Sequence, residues 1–215
     1  MTTAFPEKLL EGYKNFMSGR FTEHKEAYYE LAEKGQKPET MVIGCCDSRA
    51  TPEAIFNTAP GEFFVTRNIA NLVPPYTPDG ATRATSAALE YAVQVLKVKN
   101  ILVMGHARCG GIQASLATDM EPLSPGDFVG SWIDLVRPTA AAVKADSTVA
   151  PGDRQTELER RSIIASIENL RTFPCVSILE DKGKINLLGA WFDIANGDLR
   201  ILDSKSGNFV QPSTD

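Results

Sequence analysis

Two short segments carry most of the residues that could do chemistry. The first, Cys45 to Arg49, contains two cysteines, an aspartate and an arginine; the second, His106 to Gly111, contains a histidine, a cysteine and a pair of glycines. Thiolates and imidazole are preferred ligands of Zn²⁺, and three protein ligands leave one tetrahedral position open, as in catalytic zinc sites. Cys45, His106 and Cys109 are therefore predicted to bind zinc.

Two other interpretations of these residues stay open. Cys46 could supply a fourth ligand and make the zinc structural, but adjacent residues of a strand point to opposite sides. The sequence therefore predicts that Cys46 points away from Cys45. Alternatively the cysteines and the histidine are core residues without a metal, since cysteine is often simply buried.

Asp47 and Arg49 form the second half of the predicted site. An unpaired carboxylate beside zinc could itself become a ligand, whereas an arginine two residues on can hold it in a bidentate pair and keep it ionised. A carboxylate held in this way can accept a hydrogen bond from zinc-bound water. We therefore predict that Asp47 and Arg49 are catalytic; a surface salt bridge is the alternative.

The elements that must position these residues are two short apolar segments. Met41 to Cys45 and Asn100 to Gly105 are predicted to be buried strands, and the two chemical motifs follow directly after them. Ligands of open α/β sheets bind beyond the carboxyl ends of the strands. If the two strands are neighbours, Cys45, His106 and Cys109 can converge.

The rest of the chain alternates helical and strand patterns. Apolar spacing predicts helices over 5–17, 22–33, 84–97, 128–144 and 153–172, and strands over 62–66 and 175–179. Residues 185–194 and 199–202 read as an antiparallel hairpin turned at Asn196-Gly197-Asp198. This order predicts an α/β fold, with a mostly parallel central sheet, an antiparallel edge and flanking helices. We expect one domain over residues 1–215.

Composition narrows the class of protein. The 215 residues carry a net charge of −5, which argues against a general nucleic-acid binder. Apolar runs stay below the ~18 residues that span a bilayer, and the first residues lack the features of a secretory signal. These observations predict a cytoplasmic protein with no membrane partner, in which cysteines grouped with a histidine serve a metal or catalysis.

The combination of motifs resembles the β-class carbonic anhydrases. Cys45-x-Asp47-x-Arg49 is followed about sixty residues later by His106-x-x-Cys109-Gly110-Gly111, and the likeness extends through 61–75 and 87–98 to cover roughly residues 5–205. The resemblance implies reversible hydration of CO₂ to bicarbonate by zinc-bound hydroxide, with one Zn²⁺ per subunit. It also implies that an N-terminal helical arm, residues 1–35, packs on a partner subunit in a homodimer or higher homo-oligomer.

The resemblance further implies a substrate pocket of the plant-like type. In that type a glutamine donates to the substrate and aromatic rings line the pocket, some of them from across the dimer interface. The matching residues here are Gln36, Phe64 and Tyr91, with Ile69 as an apolar wall and Gly110 as a backbone N–H donor.

A second type within the family carries an inhibitory bicarbonate site made by a tryptophan, an arginine and a tyrosine. The matching positions here are Val42, Arg67 and Phe192. Because only the arginine is kept, we expect no such site and an open zinc position taken by water.

Two rival functions are compatible with the same sequence. A relative of these enzymes could hydrolyse carbonyl sulfide or carbon disulfide by the same attack on a linear molecule. A non-catalytic zinc protein that binds a partner is the other alternative, although a structural site needs neither the Asp47–Arg49 pair nor the Gln36–Tyr91 pocket.

Overall fold

A computed structural model describes residues 4–117 and 121–212 of the chain. The strands are β1 (Thr40–Cys45), β2 (Phe63–Asn68), β3 (Asn100–His106), β4 (Asn186–Phe192), β5 (Leu199–Leu202) and β6 (Phe209–Val210). The α-helices are α1 (Glu7–Ser18), α2 (Arg20–Glu23), α3 (Lys25–Lys34), α4 (Pro52–Ile55), α5 (Ala84–Glu90), α6 (Gly110–Leu116), α7 (Phe128–Ile133), α8 (Arg137–Ala145), α9 (Arg154–Arg171) and α10 (Pro174–Asp181).

The strands form one six-stranded sheet in the order β2-β1-β3-β4-β5-β6. The first four strands in this order are mutually parallel, and β5 and β6 add an antiparallel edge. The predicted mostly parallel sheet is therefore confirmed. Strands β1 and β3 pair directly, so that the two chemical motifs leave the sheet side by side at its carboxyl edge.

Both faces of the sheet are covered, which explains why its central strands are continuously apolar. Met41, Ile43 and Val103 pack on one face among residues of α9 and α10, and Val42 and Leu102 pack on the other. A smaller buried cluster joins Cys45 and Cys109 to residues of α6, α8 and α9. The metal-ligand candidates therefore sit in packed surroundings at the end of the sheet.

The N-terminal arm packs differently from the rest of the chain. Helices α1, α2 and α3 contain no buried residue, and α1 carries large apolar side chains that are half or more exposed, among them Leu9 and Tyr13. Near Gly61, which has a φ of +86°, the Leu31 side chain of α3 approaches the body of the protein. Arg20 of α2 also donates from Nη2 to the Thr58 carbonyl oxygen at 2.6 Å. The arm is thus attached through α2 and α3, and α1 leaves an apolar face uncovered.

One strand prediction is wrong. Residues 175–179 belong to helix α10 and not to a strand. A short apolar run cannot be assigned from periodicity alone, and Pro174 in the first turn is well suited to start a helix. Cys175 accordingly sits half-buried on α10 against the core, and the fourth parallel strand is β4, the first strand of the predicted hairpin.

Three predicted helices are interrupted. The helix predicted over 22–33 breaks at His24, which separates α2 from α3. The helix predicted over 128–144 is divided into α7 and α8 by a 3₁₀ turn, Asp134–Val136, and Pro138 lies in the first turn of α8. The helix predicted over 84–97 changes after Glu90 into a π-helical segment, Tyr91–Leu96, and ends at Lys97 in the left-handed conformation. Among the described residues, none of the helices is long and apolar enough to cross a membrane.

Candidate metal centre

Cys45, His106 and Cys109 meet at the carboxyl edge of the sheet. Their ligand atoms lie within 4.8 Å of one another, and all three residues are buried. Cys45 is the last residue of β1, His106 is the last residue of β3, and Cys109 directly precedes α6. The pairing of β1 with β3 therefore brings together residues that are more than sixty positions apart.

The arrangement fits a tetrahedral zinc ion. The two sulfur atoms are 3.9 Å apart, too far for a disulfide, whereas two Zn–S bonds of ~2.3 Å at a tetrahedral angle place sulfurs about 3.8 Å apart. His106 Nδ1 is 2.9 Å from the Ala107 carbonyl oxygen, to which it can donate. His106 Nε2 is buried without a hydrogen-bond partner among the described residues, as expected of an atom reserved for a metal.

The two thiols influence each other's ionisation. The hydrogen bond that the two sulfurs share lowers the pKa of Cys45 and raises the pKa of Cys109, because ionisation of one thiol disfavours ionisation of the other. His106 and the backbone amides of Asp47 and Ala70 also favour the Cys45 thiolate. Burial alone lowers the pKa of His106, but the adjacent Cys45 thiol, the hydrogen bond to the Ala107 carbonyl and the nearby Asp47 carboxylate outweigh that effect and raise it.

Asp47 lies beside this cluster and is held by Arg49. The Asp47 Oδ1 atom accepts hydrogen bonds from Arg49 N at 3.0 Å and Nε at 2.9 Å, and Oδ2 accepts one from Nη2 at 2.7 Å. These bonds hold the pKa of Asp47 well below its usual range. Asp47 Oδ2 is 3.9 Å from His106 Nε2, so the carboxylate faces the position between the three ligand atoms.

Cys46 is not part of the cluster. It is exposed, and its backbone N–H donates to the Asn68 carbonyl oxygen at 2.9 Å. The predicted divergence of neighbouring cysteines is therefore observed, and the three-ligand arrangement agrees with an open site.

The predicted pocket residues fall into two groups. Ile69 and Gly110 lie next to the metal cluster: Ile69 follows β2 and is 41% exposed, and Gly110 is the residue after Cys109. Gln36, Phe64 and Tyr91 lie together elsewhere in the chain. Tyr91 stacks on Phe64 with ring centroids 5.8 Å apart, and Gln36 lines a cavity of about 840 Å³ with Tyr91.

The second group lies at the opposite edge of the sheet from the metal cluster. Phe64 pairs with Met41 near the start of β1, whereas Cys45 is at its end and pairs with Asn68. Four residues of strand span about 13 Å. Within one chain, therefore, Gln36, Phe64 and Tyr91 are not brought together with Cys45, His106 and Cys109.

Three residues make contacts at the site that the sequence did not predict. Arg67 donates from Nε to the Cys45 carbonyl oxygen at 2.7 Å and from Nη2 to the Asp47 carbonyl oxygen at 2.6 Å. Trp132 Nε1 donates to the Ile69 carbonyl oxygen at 2.8 Å, and buried Glu159 reaches the Cys109 backbone. Only Glu159 gave a signal in the sequence, as an acidic residue among the apolar and small residues that α9 buries.

The role of Arg67 bears on the inhibitory bicarbonate site that the sequence argued against. Its guanidinium is engaged by two backbone carbonyls, and Val42, at the matching tryptophan position, is fully buried within β1. The absence of that site stays a prediction, supported by these contacts.

Comparison with known proteins agrees with the geometry. Residues 40–199 match the family model described as "Carbonic anhydrase". Over 204 residues the chain is 36% identical to "Beta carbonic anhydrase 3" of Arabidopsis thaliana, covering 93% of this chain and 78% of that protein. The chain belongs to the β-class carbonic anhydrases. A carbonic anhydrase of Pseudomonas aeruginosa is 35% identical over 202 residues, which is 94% of this chain and 90% of that one.

Solved β-carbonic anhydrases share the fold. The structure of the β-carbonic anhydrase CcaA superposes with a TM-score of 0.87 at 29% identity and covers 97% of this chain and 92% of that chain. A tetrameric β-carbonic anhydrase of Sordaria macrospora gives a TM-score of 0.77 at 29% identity, covering 95% and 98%. These relatives do not favour carbonyl sulfide or carbon disulfide hydrolysis, because each is named a carbonic anhydrase.

The close packing of Gly111 against Ile69 permits a prediction about stability. A Cβ atom on Gly111 would lie 2.7 Å from Ile69 Cγ2 and 3.1 Å from Ala70 Cβ, and Ala70 already has a φ of +63°. We expect Gly111→Ala to displace Ile69 and to lower the free energy of unfolding by about 1–3 kcal/mol, measured by urea denaturation. Gly110→Ala is the matched control for stability, since its Cβ would meet no atom within 4 Å. Equal stability of the two variants would contradict the predicted contact.

Proposed function

We propose that this protein catalyses the reversible hydration of CO₂ to bicarbonate and a proton, with one zinc ion held by Cys45, His106 and Cys109. The observation that carries the proposal is a cluster of three buried ligand residues beside a carboxylate held by arginine. In the described part of the chain, His106 Nε2 of this cluster has no hydrogen-bond partner. Membership of the β-class carbonic anhydrases supports the same reaction.

The zinc ion supplies one thing when bound: it acidifies water and so generates a nucleophile near neutral pH. The side chains and backbone of the protein orient the water and the CO₂. Asp47 Oδ2 faces the metal position and accepts a hydrogen bond from the reacting water, which directs a lone pair towards the carbon of CO₂. Arg49 keeps Asp47 ionised and stops it from turning onto the metal. Ile69 gives uncharged CO₂ an apolar wall, and the Gly110 N–H orients it.

The function is tested by stopped-flow CO₂ hydration with zinc-loaded protein near pH 8.5 in strong buffer. A fast rate that disappears when zinc is removed with a chelator and returns with added Zn²⁺ supports the proposal. A folded protein with one zinc per chain but no turnover would contradict it, and would favour the partner-binding zinc protein instead.

The exposed face of the arm supports a homodimer. Helix α1 carries Leu9, Leu10 and Tyr13, and Phe5 lies just before it; these side chains are 46–62% exposed in one chain. An amphipathic helix whose apolar side is left uncovered needs a partner surface to bury it. We propose that residues 1–35 are an arm of a single domain and pack on a second copy; the Sordaria macrospora relative is tetrameric by its title.

A dimer also explains the separated pocket residues. Gln36 and Tyr91 lie at the opposite edge of the sheet from their own metal cluster. Since both belong to surfaces near the arm, we propose that Gln36, Phe64 and Tyr91 of one chain line the metal site of its partner. The pocket would then be complete only in the dimer.

Mixing two inactive variants tests this arrangement. Cys45→Ser destroys the metal cluster, and the double variant Gln36→Leu/Tyr91→Ala removes the lining. In a mixed dimer, one site combines an intact metal cluster with intact lining from the Cys45→Ser chain. We expect co-refolded variants to regain up to about a quarter of wild-type activity, because half the dimers are mixed and each has one complete site.

The control for this experiment is co-refolding of each variant with itself. Activity that stays at the level of the separate variants, although mixed dimers are shown to form by differential tagging, would mean that one chain supplies the whole pocket.

We propose a cytoplasmic location. All four cysteines are free thiols, and ligand cysteines stay reduced most readily in a reducing compartment. Fluorescence microscopy of the tagged chain tests the proposed location. Finding the protein in an oxidising compartment would contradict it.

A further inference from the structure

A buried carboxylate lies behind the metal cluster on helix α9. Glu159 is 2% exposed and belongs to the face of α9 that is packed into the protein, together with Leu158, Ser162 and Ile163. Within residues 4–117 and 121–212, no lysine or arginine forms an ion pair with it. A buried acidic side chain requires hydrogen bonds in place of water, so its partners indicate what it is for.

Both oxygens of Glu159 accept hydrogen bonds. Oε1 accepts from the backbone N–H of Cys109 at 3.0 Å and from Gln155 Nε2 at 3.1 Å. Oε2 accepts from Trp191 Nε1 at 3.1 Å. Burial raises the pKa of Glu159, and these three donors act in the opposite direction. Because all three hydrogen-bond partners are donors, the ionised form satisfies all three bonds.

These bonds tie a metal-ligand candidate to the rigid parts of the fold. Trp191 belongs to β4 and pairs with Gly105 of β3, one residue before His106. Gln155, one turn before Glu159, also reaches the Cys109 carbonyl oxygen at 3.5 Å. The Cys109 backbone is therefore held from helix α9 and, through Trp191, from the sheet.

The backbone N–H of Cys109 requires an acceptor from outside helix α6. Cys109 caps α6 with extended backbone angles, φ −70° and ψ 119°, and it is 2% exposed. The first N–H groups of a helix have no partner within the helix. Glu159 supplies the acceptor, and the direction of the Cys109 amide in turn sets the direction of its thiol.

We propose that Glu159 is a positioning residue: its carboxylate fixes the Cys109 backbone so that the Cys109 thiol points into the metal cluster. This inference rests on the zinc site of the proposed function. Glutamine is a poor replacement, because it offers a single acceptor oxygen and its NH₂ group would face one of the N–H donors.

A pair of double variants isolates the bond to Cys109. In a Trp191→Phe background the indole donor is gone, so Glu159→Gln can keep its oxygen on Cys109 while its NH₂ faces the phenyl ring. Glu159→Leu in the same background has similar size and no acceptor. We expect Glu159→Gln/Trp191→Phe to bind Zn²⁺ nearly as tightly as wild type, and Glu159→Leu/Trp191→Phe to bind about tenfold or more weakly.

Two readouts are used: Zn²⁺ affinity by competition with a chromogenic chelator, and the visible absorption of the Co²⁺-substituted protein. A changed Co²⁺ spectrum in the leucine variant alone reports a displaced thiol ligand, which a purely structural role would leave unchanged. Glu157→Gln is the control on the same helix; Glu157 pairs with Arg161 and makes no bond to the cluster. It is expected to leave both readouts at the wild-type values.

Equal Zn²⁺ affinities and identical Co²⁺ spectra in the two double variants would overturn the proposal, even if the leucine variant unfolds more easily. If the leucine variant does not fold, Glu159→Gln alone is compared with Glu159→Gln/Trp191→Phe; the second change is expected to restore affinity, and no restoration overturns the proposal. Wild-type protein is titrated alongside, because failure of the wild type to bind Zn²⁺ would count against the proposed function itself.

Discussion

Cys45→Ser is expected to weaken zinc binding by more than about 100-fold and to abolish CO₂ hydration unless zinc is in large excess. Cysteine-rich zinc sites gain about 10–16 kcal/mol from four ligands, so one ligand of three is worth roughly 3 kcal/mol or more. Serine is too weakly acidic to replace a thiolate that its surroundings already favour in the ionised state.

Cys46→Ser is the matched control for this substitution. It changes the adjacent residue in the same way, but Cys46 is exposed and outside the cluster. We expect it to keep wild-type zinc content, measured by elemental analysis after dialysis, and wild-type turnover. A Cys45→Ser protein that retains both zinc and activity would remove Cys45 from the ligand set.

The same two residues show how far sequence reasoning reaches at this site. The apolar segments before Cys45 and His106, and the alternation of side chains along a strand, were enough to predict the convergence of the motifs and the divergence of Cys46. Both follow from local geometry and from the pairing of β1 with β3. The sheet architecture was predictable for the same reason, since alternating helices and buried strands permit few topologies.

What sequence reasoning missed depends on tertiary packing. Residues 175–179 form one turn of α10 because this segment packs a single face, that of Val176, against the core, and a five-residue pattern cannot show this. The clamp of Arg67 on two carbonyl oxygens and the bonds of Glu159 join residues that are distant in the chain. A charged residue in an amphipathic pattern is ordinarily solvated, so the place of Glu159 among apolar and small residues was too weak a signal to predict its partners.

The separation of the pocket residues has another origin. Gln36 and Tyr91 were predicted from a resemblance to proteins whose pockets are shared between subunits. Within one chain these residues meet each other and not the metal cluster. Under the proposed dimer, the two groups would be joined only in the assembly, through the exposed arm that one chain leaves uncovered.

Substitution of Asp47 is the second change that we expect to have a large effect on activity. We expect Asp47→Asn to lower kcat by about 100-fold while zinc content stays at one per chain, because the proposed role of Asp47 is to orient the reacting water and because Asp47 lies outside the ligand cluster. An asparagine keeps the size of the side chain, yet it presents a donor where Arg49 and the water both need an acceptor. Turnover is measured between pH 6 and 9 in strong buffer.

The pH dependence of turnover shows whether Asp47 acts by orienting the water or by changing its own ionisation. Hydrogen bonds from Arg49 hold the pKa of Asp47 well below its usual range. A lowered folded-state pKa means that the pair stabilises the fold above the ordinary aspartate range, near pH 4, and that this contribution is lost only as the pH falls through the folded value. Asp47 is thus ionised throughout pH 6–9, and loss of activity in that range has to come from another group.

The chain offers a matched control for this prediction in Asp198 and Arg200. They repeat the Asp-x-Arg spacing in the β4–β5 hairpin, where Arg200 Nε donates to Asp198 Oδ2 at 2.7 Å. Asp198→Asn removes a comparable ion pair that lies two strands away from His106 and outside the metal cluster, and it should leave kcat unchanged. If Asp47→Asn shifts the pH profile while its maximal rate equals that of Asp198→Asn, the carboxylate acts through its charge on the acidity of the water and not by orienting it. A lowered maximal rate, with zinc retained, is what an orienting carboxylate requires.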